Sequence, residues 1–221
     1  MKRFAVLASF VCLLLLLSGC HFDKVQGSGV RKSEKREVAS FTQINATGAF
    51  SIEATSQKSV SLEIEADDNI LPLIKAEVRD GVLYLKPEKG YNSKQGVVVR
   101  VTVPDLSKIE ATGASNFIVQ GVKNDRFEVR TTGASTVTAS GVTKDVDINT
   151  TGAGEIDAHS LRAERANVRS TGAGSVEVYA TEQLDVHASG AGQVIYSGDP
   201  KIVNKKTSGA ASVSKRETSG V

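Results

Sequence analysis

Apolar and polar residues alternate in short runs along most of this chain, and from residue 109 onward the runs return in equivalent columns. Four residues before a recurring glycine stand Ile44, Ile109, Val129, Ile148, Val168 and Val186. Four residues after it stand Ile52, Phe117, Val137, Ile156, Val176, Val194 and Val213. Each glycine follows a Thr or Ser and precedes an Ala. The seven copies are Thr47-Gly48-Ala49, Thr112-Gly113-Ala114, Thr132-Gly133-Ala134, Thr151-Gly152-Ala153, Thr171-Gly172-Ala173, Ser189-Gly190-Ala191 and Ser208-Gly209-Ala210. From Gly113 onward the steps are 20, 19, 20, 18 and 19 residues. A period-two pattern means strands with one buried face. A repeat of that length is one coil of a stacked solenoid. The expected fold is therefore all-β: a parallel β-solenoid with strands in register, about 4.8 Å apart.

The chain before the regular coils reads as a β-rich end-piece. Ser61 to Glu65 alternates. Val78 to Leu85 carries Asp80-Gly81 between alternating runs, a hairpin signal. Val97, Val99, Val101 and Val103 keep period two up to Pro104. Asp68 to Lys75 predicts a short helix or turn, limited by Pro72. Residues 37–214 form one expected domain, with the end-piece at 37–110 and the coils at 111–214. Polar, charged residues 20–36 predict a flexible tether, and 215–221 a polar tail. Ser160 to Ala166 could turn, but Val168 must be back in a strand. Lys205 breaks the aliphatic column in the final coil, where a charge discourages another strand from adding.

The first 19 residues predict a leader outside the fold. Met1-Lys2-Arg3 is basic, and Phe4 to Leu17 is an apolar run of 14 residues. That run is short of the roughly 20 needed to span a bilayer. It ends in Leu17-Ser18-Gly19-Cys20, the lipobox pattern of bacterial lipoproteins. Cleavage before Cys20 would leave a lipidated cysteine, palmitate among its acyl chains, and so a membrane anchor. His21 follows, where Asp would signal retention at the inner membrane, so outer membrane is favoured over inner. Cys12 falls in the leader, which leaves the mature body without a free thiol and excludes disulfide, thiolate metal or Cys-nucleophile chemistry there. Removing Lys2 and Arg3 brings 27 basic residues to 25 against 25 acidic ones. A neutral body argues against nucleic acid or a bulk polyanion as partner.

The lipobox, the Gly-Val-Leu-Tyr-Leu strand of the end-piece, and the serial Thr-Gly-Ala-Ser and Thr-Gly-Ala-Gly coils together resemble the bacterial family called putative auto-transporter adhesin, head GIN domain, over residues 38–214. The resemblance implies a right-handed parallel β-helix in envelope-associated or secreted proteins. It implies no catalytic residues.

Candidate chemistry is sparse. The Thr/Ser column before each glycine predicts a hydroxyl ladder bonding the corners or the next coil. Ice binding is poorly served, because Thr131-Thr132 and Thr150-Thr151 each place one partner inside. His159 and Tyr179, seven residues past their glycines, are expected outward on neighbouring coils, where an imidazole beside a phenol could meet a sugar ring. His187 sits at a different offset, so a histidine metal site is not predicted, nor any cofactor. The Gly-Ala-Gly segments lack the Lys and the helix of a phosphate loop, and calcium-binding nonapeptide repeats are absent. Glu155, Asp157, Glu177 and Asp185 could supply a carboxylate pair for a polysaccharide-active enzyme, but their offsets scatter. The sequence thus predicts a non-catalytic envelope surface for adhesion or for binding a polymer or protein partner, such as a glycan or an envelope protein. The alternatives are that enzyme, or a purely structural envelope element.

Overall fold

The computed structural model describes residues 24–216; the expected leader with Cys20 and His21, and residues 217–221, lie outside them. Four long strands make the middle of the molecule: β11 (Asn116–Gly133), β12 (Thr136–Gly152), β13 (Glu155–Gly172) and β14 (Ser175–Gly190). Each runs parallel to the next, and every corner glycine faces the equivalent glycine of its neighbour: Gly113, Gly133, Gly152, Gly172, Gly190 and Gly209. The stack ends in β15 (Gln193–Ser197), β16 (Ile202–Gly209) and β17 (Ser212–Lys215). It is a parallel β-solenoid, as the columns require.

Each coil presents a short face and a long face. The short face holds the residues after the corner, and its buried columns are Ile52, Phe117, Val137, Ile156, Val176 and Val194, then Ala54, Val119, Ala139, Ala158, Val178 and Tyr196. The long face approaches the next corner and buries Phe127, Val146, Ala166 and Leu184 beside Ile109, Val129, Ile148, Val168 and Val186. Full burial of a Val or Leu contributes about 1.5–3 kcal/mol, so these columns hold the coils together. Two residues nearer the corner the interior turns small and polar. Thr131 and Thr150 are buried there, and Thr131 Oγ1 donates to Thr150 Oγ1 at 2.9 Å.

The corners explain the glycines. At Gly172 φ is +123°, and a Cβ would lie 2.2 Å from the Gly152 carbonyl oxygen. Gly174 is equally crowded, its Cβ position 2.5 Å from the Gly154 oxygen. Successive Gly-Ala-Gly corners therefore stack backbone directly on backbone, which a side chain would forbid.

The end-piece is woven out of chain order. Strand β3 (Gln43–Gly48) pairs in parallel with β10 (Lys108–Gly113) on one side and with β7 (Val82–Pro87) on the other. Likewise β4 (Ser51–Thr55) lies between β11 and β9 (Val98–Thr102). The chain thus enters the stack one layer in, leaves to build the layer outside it, and returns. Antiparallel strands close this end: β5 (Ser61–Asp67) on β9, and β6 (Ile74–Arg79) on β7. The β6–β7 turn is the expected one, with positive φ at both Asp80 and Gly81. The expected short helix is a single 3-10 turn, Leu71–Leu73.

Two expectations change. Residues 24–36 are not a free tether: β1 (Val25–Gln26) pairs with β8 (Tyr91–Asn92), and β2 (Arg31–Lys35) pairs antiparallel with β5. Arg31 fixes β2, its guanidinium donating to the Gly96 carbonyl at 2.6 Å and pairing with Glu65 at 3.2 Å. Ser160 to Ala166 lies within β13 and shifts register twice against β14, between Ala158 and Arg162 and between Ala163 and Arg165. At the far end Lys205 keeps its column but lays its ammonium 4.7 Å from the Tyr196 ring centre. The ammonium thus caps the last aromatic of the core in a cation–π contact at the exposed end of the stack.

Candidate ligand surface

The coils β13 and β14 carry the residues singled out from the sequence, and a register shift decides how they meet. Asp157 faces Glu177 and Ala158 faces Val178, but the next pair is Arg162 with Tyr179. His159, Ser160 and Leu161 have no partner on β14, because this coil is 20 residues long and the next is 18, although Ser160 and Leu161 stay in register with Ser140 and Gly141 of β12 and Leu161 is buried. His159 and Tyr179 are on neighbouring coils as expected, yet Tyr179 faces Arg162 rather than His159. The Arg162 guanidinium sits 5.1 Å from the Tyr179 ring centre and donates to its hydroxyl at 3.4 Å. His159 instead turns back along its own strand. Its Nδ1 contacts Asp157 Oδ1, and its Nε2 lies 3.1 Å from Ser160 Oγ.

Asp157, His159 and Ser160 form a hydrogen-bonded relay that no spacing rule singles out, since only the bulge brings the hydroxyl onto the ring. His159 remains 43% and Asp157 33% exposed. In water-like dielectric such a relay has little of the electrostatic power of a buried one. Ligand atoms of Asp157, His159 and Glu177 also lie within 4.8 Å of one another. That donor set could hold a divalent cation, although Glu177 is also engaged by Arg216. Glu155 is exposed at the start of β13. Asp185 lies on the long face, away from Asp157 and Glu177, so the four carboxylates do not converge.

The long face is a lattice of in-register polar columns. Arg165 grips Asp145 with two hydrogen bonds, 2.6 and 2.8 Å, and holds its carboxyl below the usual range. Arg126 pairs with Asp147 at 2.7 Å, and Asn167 donates to Asp147 at 3.0 Å. Gln183 and Asn204 both donate to Asp185, at 2.6 and 2.8 Å. Nearer the corner stand the exposed hydroxyls Thr112, Thr132, Thr151 and Thr171. The expected ladder is realised here in one rung among the described residues, Ser189 Oγ to Thr171 Oγ1 at 3.3 Å. A further hydroxyl contact, the buried Thr131–Thr150 bond, lies one residue before the outer row. Most of the outer hydroxyls thus face solvent with their hydrogen-bonding capacity unspent.

The family described as "Putative auto-transporter adhesin, head GIN domain" matches residues 40–200. No curated protein matches the chain. Among solved structures, the chain is similar to a putative adhesin from Bacteroides fragilis NCTC 9343, with 23% identity and a TM-score of 0.70 over 87% of this chain and 100% of that one. A putative adhesin from Parabacteroides merdae ATCC 43184 (21%, TM-score 0.56) and a putative lipid binding protein from Parabacteroides distasonis ATCC 8503 (22%, TM-score 0.55) each align over 88% of this chain and all of theirs. At such identities the likeness carries the fold.

Proposed function

The chain belongs to the head GIN domain family of putative auto-transporter adhesins, and from that membership we propose that it is a non-catalytic binding surface of the bacterial cell envelope. The body would be tethered through lipid on Cys20 and would meet an extended glycan or an envelope protein. One observation carries this reading: the long face presents rows of polar side chains and unengaged hydroxyls at strand spacing across β10 to β16. A repeating ligand can match such rows along its length, which suits adhesion better than the turnover of one small molecule. On the short face His159 and Tyr179, with Arg162, would add a second contact area for sugar rings.

A second reading, hydrolysis, rests on the Asp157–His159–Ser160 relay and the facing pair Asp157 and Glu177. The two readings part in one experiment. The full chain is tested on a glycan array and in pull-downs from envelope extract, with glycan products assayed in parallel. Retention without cleavage supports the binding reading. Cleavage that disappears in Asp157→Asn or Ser160→Ala overturns it in favour of the enzyme, whereas failure to retain any glycan or envelope protein overturns it outright.

A further inference from the structure

Three residues before each corner glycine, the long face carries Glu110, Arg130, Asn149, Arg169, His187 and Lys206 on successive strands, each facing the next in register. The charge along this column is not balanced uniformly. Arg130 is ion-paired with Glu128 on its own strand, and Asn149 is neutral. The last three, Arg169, His187 and Lys206, are all exposed, and among the described residues none makes an ion pair or a side-chain hydrogen bond. Arg169 and Lys206 flank His187 at one strand spacing each, so the two fixed positive charges stand roughly 10 Å apart.

Arg169 and Lys206 keep no counter-charge on the folded surface, which leaves their donors free for something else. The carboxylate in the neighbouring column, Asp185, does not quench them, because the amides of Gln183 and Asn204 occupy it at 2.6 and 2.8 Å. Two residues further on, Thr171, Ser189 and Ser208 form a hydroxyl row in the same register. Both rows line a surface depression of about 370 Å³.

We infer that this stripe binds an acidic polysaccharide laid across the last three coils. Its carboxylate or sulfate groups would rest on Arg169 and Lys206, with His187 and the hydroxyl row bonding sugar oxygens. The inference deepens the binding-surface reading and rests on it. A guanidinium fork takes a planar carboxylate by two parallel hydrogen bonds, and an ammonium adds a point charge. The stripe is linear and a single residue wide, with no large apolar side chain in its six positions, which fits a chain polymer better than a membrane plane. Its rise from strand to strand is about the length of one sugar ring. Net charge carries no trace of this site, because the body is formally neutral and the cations are segregated locally.

The test uses the full chain, with the triple substitution R169Q/H187Q/K206Q beside it. Polygalacturonate and a sulfated glycan are the polymer probes, dextran is the neutral polymer, vesicles of anionic phospholipid stand for a membrane, and sulfate is the free anion. We expect retention on the acidic polymers, released by salt, and roughly thirtyfold weaker in the triple variant from two exposed charged contacts and one imidazole hydrogen bond. R79Q, on β6 of the end-piece and outside the long face of the coils, replaces an arginine already ion-paired with Glu77 and should bind as the parent does. An unchanged unfolding transition in the triple variant makes its loss one of recognition; K206R, which retains the charge, should restore most binding when that position alone is compared with K206Q. Equal binding by parent and triple variant overturns the stripe, as does preference for vesicles or for sulfate alone. Retention of a neutral glycan or envelope protein that survives the triple substitution leaves the binding-surface reading standing and sinks only the stripe.

Discussion

Replacing Gly172 by Ala tests the corner stacking at its tightest point. The backbone there has φ +123°, and the added Cβ would fall 2.2 Å from the Gly152 oxygen and 3.0 Å from its carbon and nitrogen. Strain in that backbone region costs about 1–3 kcal/mol for a residue with a side chain. To relieve the clash, one coil must retreat from the next by most of an ångström. That retreat stretches the bond from the Ala173 N–H to the Gly152 carbonyl, 2.9 Å in the native corner, and a backbone hydrogen bond contributes about 1 kcal/mol net. The expected loss is about 2–4 kcal/mol, a large share of the 5–15 kcal/mol typical of a domain. Gly81→Ala is the control: φ is +74° with nothing within 4 Å of the added Cβ, so only the left-handed backbone cost of about 1–2 kcal/mol applies. Urea unfolding of both variants, compared by midpoint at constant slope, decides the matter. If Gly172→Ala lowers stability no more than Gly81→Ala does, the backbone-on-backbone corner is wrong.

Val176→Asp places a carboxylate in a fully buried column between Ile156 and Val194 and should cost about 3 kcal/mol or more; an unchanged melting temperature would contradict that position. Asp145, whose folded pKa is depressed by the Arg165 hydrogen bonds, contributes stability that is in force above its unfolded pKa and fades as pH falls through the folded one. Arg165→Gln should therefore flatten the acid limb of stability below about pH 4, and superimposable acid limbs would refute that linkage. Cys20→Ala should abolish lipid labelling and leave the chain unprocessed or released from membranes; persistent labelling would place the anchor elsewhere.

The coil architecture was legible because a solenoid repeats its physics. Every turn must point an aliphatic pair inward and pass a corner where side chains collide, so Val/Ile columns and Thr-Gly-Ala triplets recur at one step. The entry strands were not legible for the opposite reason. Arg31 to Lys35 forms an exposed edge whose pairing depends on β5, about thirty residues later in the chain, and nothing apolar marks it locally. The crossed order of β3, β7 and β10 was hidden as well, since each strand has the same alternation whichever neighbour it takes. For the candidate site, outward parity was readable but the meeting of side chains was not. The two-residue difference between adjacent coils is visible in the sequence, but where the surplus bulges depends on packing. That bulge sets His159 against Ser160 and gives Tyr179 to Arg162. The Arg169, His187 and Lys206 stripe required knowing that all three are exposed and unpaired, which no spacing rule supplies.

The glycine-to-glycine register has one further consequence. Because equivalent residues face each other from coil to coil, a segment cut out between Gly152 and Gly172 would bring β12 against β14 with matching columns on both sides. Length in this molecule is thus a quantised trait, gained or lost by duplicating or excising one segment at a time, with each event leaving the seams it creates chemically like those it removed.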